Sequence, residues 1–198
     1  RDVNADSEVT IVPGATEAIF CAVQALLRPG DEAIVLDPCY DSYEPAVELA
    51  GGRCVHVPLE LPDFRVDWQR LADAITPRTR LIFINSPHNP SGALLSHADL
   101  DQLAALIRER EIWLISDEVY EHLVFDGMQH ASVLAHEELY QRALVVSSFG
   151  KTYHVTGWKT GYVVAPPALS AELRKVHQFV TFVAVTPLQH ALADFMAE

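Results

Sequence analysis

The chain has 198 residues, of which 49% are hydrophobic, so it is long enough to bury a substantial core. Its 14 lysines and arginines stand against 27 aspartates and glutamates, which gives a formal net charge of -13. No basic run is longer than a pair, which excludes a nucleic-acid surface as the main function.

The sequence also bears on membranes and on the redox compartment. No apolar run approaches the roughly 18 residues that a bilayer-spanning helix requires, and no signal peptide opens the chain. The three cysteines, Cys21, Cys39 and Cys54, are odd in number and have no metal-type spacing. We therefore expect a cytoplasmic protein with free thiols and no membrane partner.

Short apolar runs alternate with helical stretches along the chain. In chain order, strands are predicted at residues 9–12, 33–36, 53–57, 80–84, 112–115, 143–146 and 162–164. Helices are predicted at residues 15–27, 43–50, 68–74 and 169–180, with one more after Ser96. Apolar strands separated by helices are typical of a mostly parallel sheet that is covered on both faces. The predicted fold class is therefore α/β, with three layers in the order α/β/α.

The helix after Ser96 has the clearest signals. Ser96 is placed to cap this helix, and Asp99, three residues later, completes an aspartate variant of the capping box. Apolar residues then recur at helical spacing, namely Leu100, Leu103, Ala104 and Ile107. This spacing predicts a helix that turns one face toward the core.

Polar side chains follow several predicted strands at the point where each strand ends. Ligands of open parallel sheets bind beyond the carboxyl ends of the strands, so these side chains share one edge. The segments concerned are 14–16, 37–40, 85–92, 117–120 and 147–151. The sequence therefore predicts a functional site at this edge.

The chain has only three lysines, and their settings differ. Lys175 lies beside Arg174 on a predicted helix, where we expect it to be solvated. Lys151 follows a buried strand, where an amine can act as a nucleophile. The run 150–152 also resembles the end of a phosphate-binding loop, but Val145 stands where that loop requires glycine. A nucleotide site of the Walker type is therefore excluded.

Several spaced motifs resemble those of fold-type I, class I aminotransferases. They are residues 85–92 (NSPHNPSG), 117–120 (DEVY), 148–151 (SFGK) and 156–159 (TGWK), in the order of the family. Residues 37–43 (DPCYDSY) and the run 150–159 narrow the likeness to methionine aminotransferases of the kynurenine aminotransferase group. The resemblance extends from about Val9 to the end of the chain.

The resemblance implies pyridoxal 5'-phosphate as the cofactor. Lys151 would hold the aldehyde of the cofactor as an imine and would then move the α-proton of the substrate. Asp117 would lie against the ring nitrogen and keep it protonated, which makes the ring an electron sink. Asn89 and Tyr120 would donate to the ring oxygen, and Tyr40 would stack on the ring.

The resemblance also implies where the phosphate of the cofactor would bind. Ala15 and Thr16 follow Gly14 at a helix start, which supplies backbone donors for an anion. Ser148 would add a hydroxyl group, and Lys159 would add a positive charge. The family often has arginine at the position of Lys159, and lysine keeps that charge.

The implied reaction transfers an amino group from methionine, glutamine or an aromatic amino acid to a 2-oxo acid. The family also implies a homodimer and a longer protein, in which residues 1–198 are the cofactor-binding large domain. An N-terminal arm and a C-terminal small domain, with the arginine that grips the substrate carboxylate, would lie outside these residues. We therefore expect the chain alone to bind the cofactor poorly and to turn over little.

Two other functions stay open at this point. A carbon–sulfur lyase of the same fold would use the same residues, and a non-catalytic domain would keep only the fold. Lys151, Asp117, Asn89 and Tyr120 together argue against the second, because packing alone does not require all four.

Some residues near the expected site have weaker indications. Nine histidines show no supported ligand spacing, so no metal is expected. His88, His122 and His154 are expected to pack near the site without binding a ligand. Phe182 matches a place where related enzymes reach into the site of the partner subunit, although a core position is the simpler expectation.

Overall fold

A seven-stranded sheet with helices on both sides makes up the computed structural model, which describes residues 1–198. The strands are β1 (Val9–Val12), β2 (Glu32–Asp37), β3 (Arg53–Pro58), β4 (Thr79–Asn85), β5 (Trp113–Asp117), β6 (Ala143–Ser148) and β7 (Gly161–Val164). The helices are α1 (Ala5–Glu8), α2 (Ala15–Leu26), α3 (Tyr43–Leu49), α4 (Trp68–Ala74), α5 (His97–Ile107), α6 (Glu137–Tyr140), α7 (Phe149–Thr152), α8 (Pro167–Val180) and α9 (Thr186–Met196). Short 3-10 turns lie at Val133–Ala135 and Thr156–Trp158.

The strands lie in the order β1-β7-β6-β5-β4-β2-β3. All neighbouring pairs from β6 to β3 are parallel, whereas β7 runs antiparallel to both β6 and β1. Strand β1 therefore points the same way as β2 to β6, and their carboxyl ends share one edge of the sheet. The predicted α/β class with a mostly parallel sheet is confirmed.

Helices cover both faces of this sheet. Strand β2 illustrates the cause, since Ala33 and Val35 enter the core on one face while Ile34 and Leu36 enter the core on the other. Side chains from α2, α3 and α8 pack on the first face, and side chains from α4 and α5 pack on the second. Successive side chains of a strand alternate between faces, so a strand that is apolar throughout is buried on both. The three-layer prediction is confirmed.

Most predicted elements are present, with small differences at their ends. Strand β1 and helix α4 have the predicted bounds, while β2, β4 and β6 extend beyond the predicted segments. Helix α1 was not predicted, because its sequence has no apolar periodicity. The Asn4 side chain caps it by accepting from the amides of Asp6 (3.0 Å) and Ser7 (3.1 Å). None of the helices is both long and apolar enough to cross a bilayer.

Strand β7 starts with a very close contact between backbones. A Cβ atom on Gly161 would lie 2.6 Å from the carbonyl oxygen of Ser147 and 3.2 Å from the Cα of Gly14. Glycine therefore lets β7 insert between β1 and β6 at their carboxyl edge. As a result, Lys159 and Thr160, which precede β7, reach the edge where the parallel strands end.

The start of helix α5 provides a test of the local energetics. The Ser96 hydroxyl accepts from the Asp99 amide at 3.2 Å, and the Asp99 carboxylate accepts from the Ser96 amide at 2.8 Å. We predict that Ser96→Ala lowers the free energy of unfolding by about 1 kcal/mol, because it leaves a helix amide without its cap. Chemical denaturation measures the change. Ser96→Asp, which restores an acceptor, should recover most of the loss, and equal stability of all three proteins would contradict the prediction.

Candidate active site

A cavity of about 190 Å³ opens at the carboxyl edge of the parallel strands. Every residue that the sequence placed in the site lines this cavity: Ala15, Thr16, Tyr40, Asn89, Asp117, Tyr120, Ser148, Lys151 and Lys159. These residues come from β5 and β6, from α2 and α7, and from the loops between elements. The agreement follows from topology, because parallel strands deliver the residues after them to the same edge.

A second and larger groove, of about 580 Å³, lies on the other side of Asn85. Its charged lining residues are Glu60, Asp63, Arg65 and Asp99. No lysine lines this groove, and neither of its aspartates is buried in the core. The smaller cavity is therefore the candidate active site.

Lys151 lies on α7, the single helical turn that follows β6. The Ser148 hydroxyl caps this turn by accepting from the Gly150 amide at 3.2 Å. A Cβ atom on Gly150 would lie 2.9 Å from the Cα of Thr156, so glycine allows the turn to pack closely. The Lys151 side chain is half-buried, and its Nζ lies 5.7 Å from the centre of the Tyr120 ring. A short, capped turn thus holds an amine at the mouth of the cavity.

Asp117 ends β5 and is only 3% exposed. Its Oδ2 accepts from the Tyr43 hydroxyl at 2.7 Å, and its Oδ1 accepts from the Val119 amide at 3.3 Å. Burial raises the pKa of Asp117 to about 6, while hydrogen bonds from Tyr43 and Val119 and the charge of Lys151 oppose that rise. The site therefore contains a carboxylate that would be stabilised by a positive charge inside the cavity.

Tyr43 supports Asp117 from α3, and no functional role was predicted for this residue. Its ring stacks on Phe83 with ring centres 4.7 Å apart, and Tyr40 meets it edge-on at 5.8 Å. Burial raises the pKa of the Tyr43 hydroxyl well above its ordinary value, so the hydroxyl keeps its proton and donates. Tyr43 belongs to the run 37–43 that carried part of the family resemblance, but nothing in that run indicated a hydrogen bond to Asp117.

Asn85 is a second support whose role the sequence did not assign. Its Nδ2 donates to the carbonyl oxygen of Asp117 at 2.8 Å, and its Oδ1 accepts from the Asn89 amide at 2.7 Å. A single buried amide thus connects the end of β5 with the loop that carries Asn89. This connection sets the distance between two of the predicted site residues.

The other end of the cavity is suited to an anion. Gly14 has a φ of 84°, and α2 begins directly after it with Ala15 and Thr16. The first amides of a helix have no partner inside the helix and carry partial positive charge. The Thr16 hydroxyl lies 3.3 Å from that of Tyr40, and the Lys159 side chain packs beside Gly14. Backbone donors, hydroxyl groups and an ammonium group therefore converge on one spot.

Three histidines and Phe182 lie outside the cavity lining. His88 is buried and its Nδ1 lies 2.7 Å from the Ser91 hydroxyl, and burial lowers its pKa, which agrees with a packing role. His122 and His154 are exposed. Phe182 is 74% exposed, so the simpler expectation of a core position was wrong. The reason is its place at the bend after α8, where φ is 68° and the side chain points away from the core.

The chain belongs to the aminotransferase class I and II family, whose sequence model matches residues 2–198. The resemblance that the motifs indicated is confirmed.

Two curated relatives show the similarity to individual aminotransferases. Methionine aminotransferase of Escherichia coli is 55% identical over 193 residues, which cover 98% of this chain and 50% of that protein. Kynurenine–oxoglutarate transaminase 1 of Mus musculus is 39% identical, and the match covers 94% of this chain and 46% of that protein. The chain thus spans about half the length of these curated relatives.

Solved structures agree with the sequence relatives. The structure of an Escherichia coli protein identified as a methionine aminotransferase superposes with a TM-score of 0.97 at 54% identity, covering 100% of this chain and 52% of that one. An aromatic aminotransferase from Pyrococcus horikoshii gives a TM-score of 0.95 at 35% identity, covering 100% of this chain and 53% of the other.

Class I aminotransferases depend on pyridoxal 5'-phosphate, and the cavity has the chemistry to hold it. The cofactor carries a phosphate, an aldehyde and a basic ring nitrogen. The cavity offers helix amides with Lys159 for the phosphate, the amine of Lys151 for the aldehyde, and the buried carboxylate of Asp117 for the nitrogen. The residues present therefore fit the group.

The burial of Asp117 predicts that the stability of the cofactor-free protein depends on pH. The raised pKa means that the folded state binds more protons than the unfolded state between about pH 4 and pH 6. Stability therefore falls as the pH rises through this window, because the buried carboxyl ionises. We predict that Asp117→Asn is the more stable protein at pH 8, by up to about 3 kcal/mol.

Denaturant unfolding of the cofactor-free proteins at several pH values measures this effect. The advantage of Asp117→Asn should shrink as the pH falls through 6. Asp73→Asn, which changes an exposed aspartate on α4, serves as the matched control and should show no such dependence. An advantage that does not vary with pH would contradict the titration of Asp117 in this range.

Proposed function

We propose that the protein is a pyridoxal 5'-phosphate-dependent transaminase and that this chain is its cofactor-binding core. The observation that carries the proposal is the placement of Lys151, Asp117 and the start of α2 around one cavity. An amine, a buried carboxylate and an anion-binding end are the three groups that this cofactor requires.

Bound pyridoxal phosphate would supply an electron sink for the electrons of the Cα–H bond of an amino acid. Lys151 is proposed to hold the cofactor covalently through Nζ. Nζ would also accept the α-proton of the substrate and later return a proton. Its place on a short turn capped by Ser148 keeps the amine close while leaving its long side chain room to move.

Asp117 is proposed to hold the proton on the ring nitrogen of the cofactor. A cation in the cavity lowers the cost of ionising this buried carboxyl, so the carboxylate and the protonated ring stabilise each other. Tyr43 and Asn85 hold the position of Asp117, because Tyr43 donates to its carboxylate and Asn85 donates to its backbone carbonyl oxygen. They are therefore positioning residues in this proposal.

The remaining cavity residues are proposed to orient the cofactor. Tyr120 and Asn89 would donate to the ring oxygen, and Tyr40 would cover one face of the ring. Ala15, Thr16, Ser148 and Lys159 would bind the phosphate, as helix starts with a nearby cation do. Each of these four residues lines the same cavity as Lys151.

The names of the relatives support a choice of substrates. We propose that the amino donor is methionine, glutamine or an aromatic amino acid and that the acceptor is a 2-oxo acid. The whole protein is proposed to be a cytoplasmic homodimer, in which residues 1–198 form the large domain. The free thiols of Cys21, Cys39 and Cys54 agree with a reducing compartment. The substrate-carboxylate arginine of the family is proposed to lie outside this chain.

Replacing Lys151 tests the proposal directly. In the full-length protein, we predict that Lys151→Ala lowers turnover by on the order of 10³-fold or more, since both covalent attachment and proton transfer are lost. Borohydride reduction followed by peptide mass spectrometry should find the cofactor on Lys151 in the unmodified protein. Lys175→Ala is the matched control, because Lys175 is an exposed lysine paired with Glu172, and it should leave both results unchanged. Full activity of Lys151→Ala would refute the assignment.

The products distinguish transamination from cleavage of the carbon–sulfur bond. With methionine and a 2-oxo acid acceptor, we predict one molecule of new amino acid for each molecule of new 2-oxo acid, with no ammonia. A lyase would instead release ammonia and a thiol, and would do so without the acceptor. Chromatography of the 2-oxo acids together with an ammonia assay measures both outcomes.

A further inference from the structure

A buried group of side chains outside the cavity lining joins α2 to α8. Glu17 and Cys21 lie one turn apart on α2, and His177 faces them from α8. Glu17 Oε1 lies 2.8 Å from His177 Nδ1 and 3.1 Å from Cys21 Sγ. The three possible ligand atoms all lie within 4.8 Å of one another. We call Glu17, Cys21 and His177 the α2–α8 cluster.

The cluster is almost closed to solvent, and one of its polar atoms has no hydrogen-bond partner. Cys21 is fully buried, and the side chains of His177 and Glu17 are 8% and 11% exposed. Glu17 Oε2 is buried and has no hydrogen-bond partner. A buried carboxylate oxygen without a donor is costly, and a positive partner would remove this cost. Thr181 at the end of α8 adds a hydroxyl group 3.3 Å from Glu17 Oε1.

We propose that the α2–α8 cluster is a binding site for a divalent zinc ion. Thiolate, imidazole and carboxylate are the three ligand types that zinc prefers, and zinc sites often draw two ligands from one helix at a spacing of one turn. Ligand atoms around a tetrahedral zinc ion lie about 3.3–3.6 Å apart. The side chains of the cluster would therefore separate by about half an ångström, and the Thr181 hydroxyl is the neighbour available as a fourth ligand.

The charges of the cluster favour a divalent ion. The carboxylate of Glu17 and a thiolate of Cys21 carry two negative charges, which a zinc ion balances while neutral His177 contributes a nitrogen. A buried site of zero net charge has the lowest desolvation cost. Burial and the charge of Glu17 raise the pKa of the Cys21 thiol, so metal binding would release that proton to the solvent.

The site would have a structural role close to the active site. Glu17 follows Ala15 and Thr16 in the first turn of α2, the turn whose amides face the anion-binding end of the cavity. An ion held by both helices would fix this turn against α8. The alternative is a Glu17–His177 hydrogen-bonded pair without a metal ion, in which the Cys21 thiol only donates a hydrogen bond to Glu17.

Cobalt(II) binding to the full-length protein separates the two descriptions. Cobalt occupies zinc sites and gives a visible absorption of tetrahedral type, together with a near-ultraviolet band when a thiolate is a ligand. We expect one cobalt ion per chain with both bands, displaced by zinc. We also expect zinc to raise the unfolding temperature of the cofactor-free protein.

Variants complete the test. Cys21→Ala should lose the thiolate band, and His177→Gln should weaken zinc affinity by about 10-fold or more. Cys54→Ala, which removes a half-buried thiol on β3 away from the cluster, should behave as the unmodified protein. The proposal is overturned if cobalt does not saturate a site in the unmodified protein, or if the thiolate band survives in Cys21→Ala. In either case the cluster is only a hydrogen-bonded pair, and cofactor binding is unaffected by that result.

Discussion

The rest of the site depends on one carboxyl group that is almost out of contact with water. Asp117 has given up most of its hydration, and its charge is tolerable only because donors surround it. The hydroxyl of Tyr43 and the amide of Val119 supply two of these donors. Tyr43 is itself part of the hydrophobic core, so a change in this support would require the core around it to repack. The protein thus maintains an unfavourable buried acid that a cationic ligand would relieve.

Sheet topology explains why so many functional side chains can meet around that carboxyl. Strands β2 to β6 are parallel, and β1 points the same way because β7 lies between it and β6 in the opposite direction. Six strands therefore end at one edge. The close backbone contact at Gly161 brings Lys159 there as well, although it precedes a strand that runs the other way. The pairing directions of the strands therefore bring the site residues together.

Local sequence patterns were sufficient for the seven strands and for most of the cavity. The alternation of apolar runs with helical periodicity predicted the α/β class, and residues that follow strands, such as Lys151 and Asp117, were predicted to share an edge. The supporting roles of Tyr43 and Asn85 were not predicted. Tyr43 lies 74 residues from Asp117 in the sequence, and Asn85 belonged to a motif but had no assigned role. Phe182 was misjudged, because periodicity does not tell whether an apolar residue at a bend turns inward.

The amino-acid sequence alone was enough to identify which chemical groups the protein has and the edge of the sheet that most of them reach, because strands along the chain and side-chain types are recognised from short segments. The depth at which Asp117 is buried, and the donors that meet it, followed from the folded arrangement alone. The folded arrangement also decided that Glu17 and His177, 160 residues apart, lie 2.8 Å from each other. The physical reason is that desolvation and hydrogen bonding depend on every element that packs around a group. Those elements come from distant parts of the chain, and no local pattern records their arrangement.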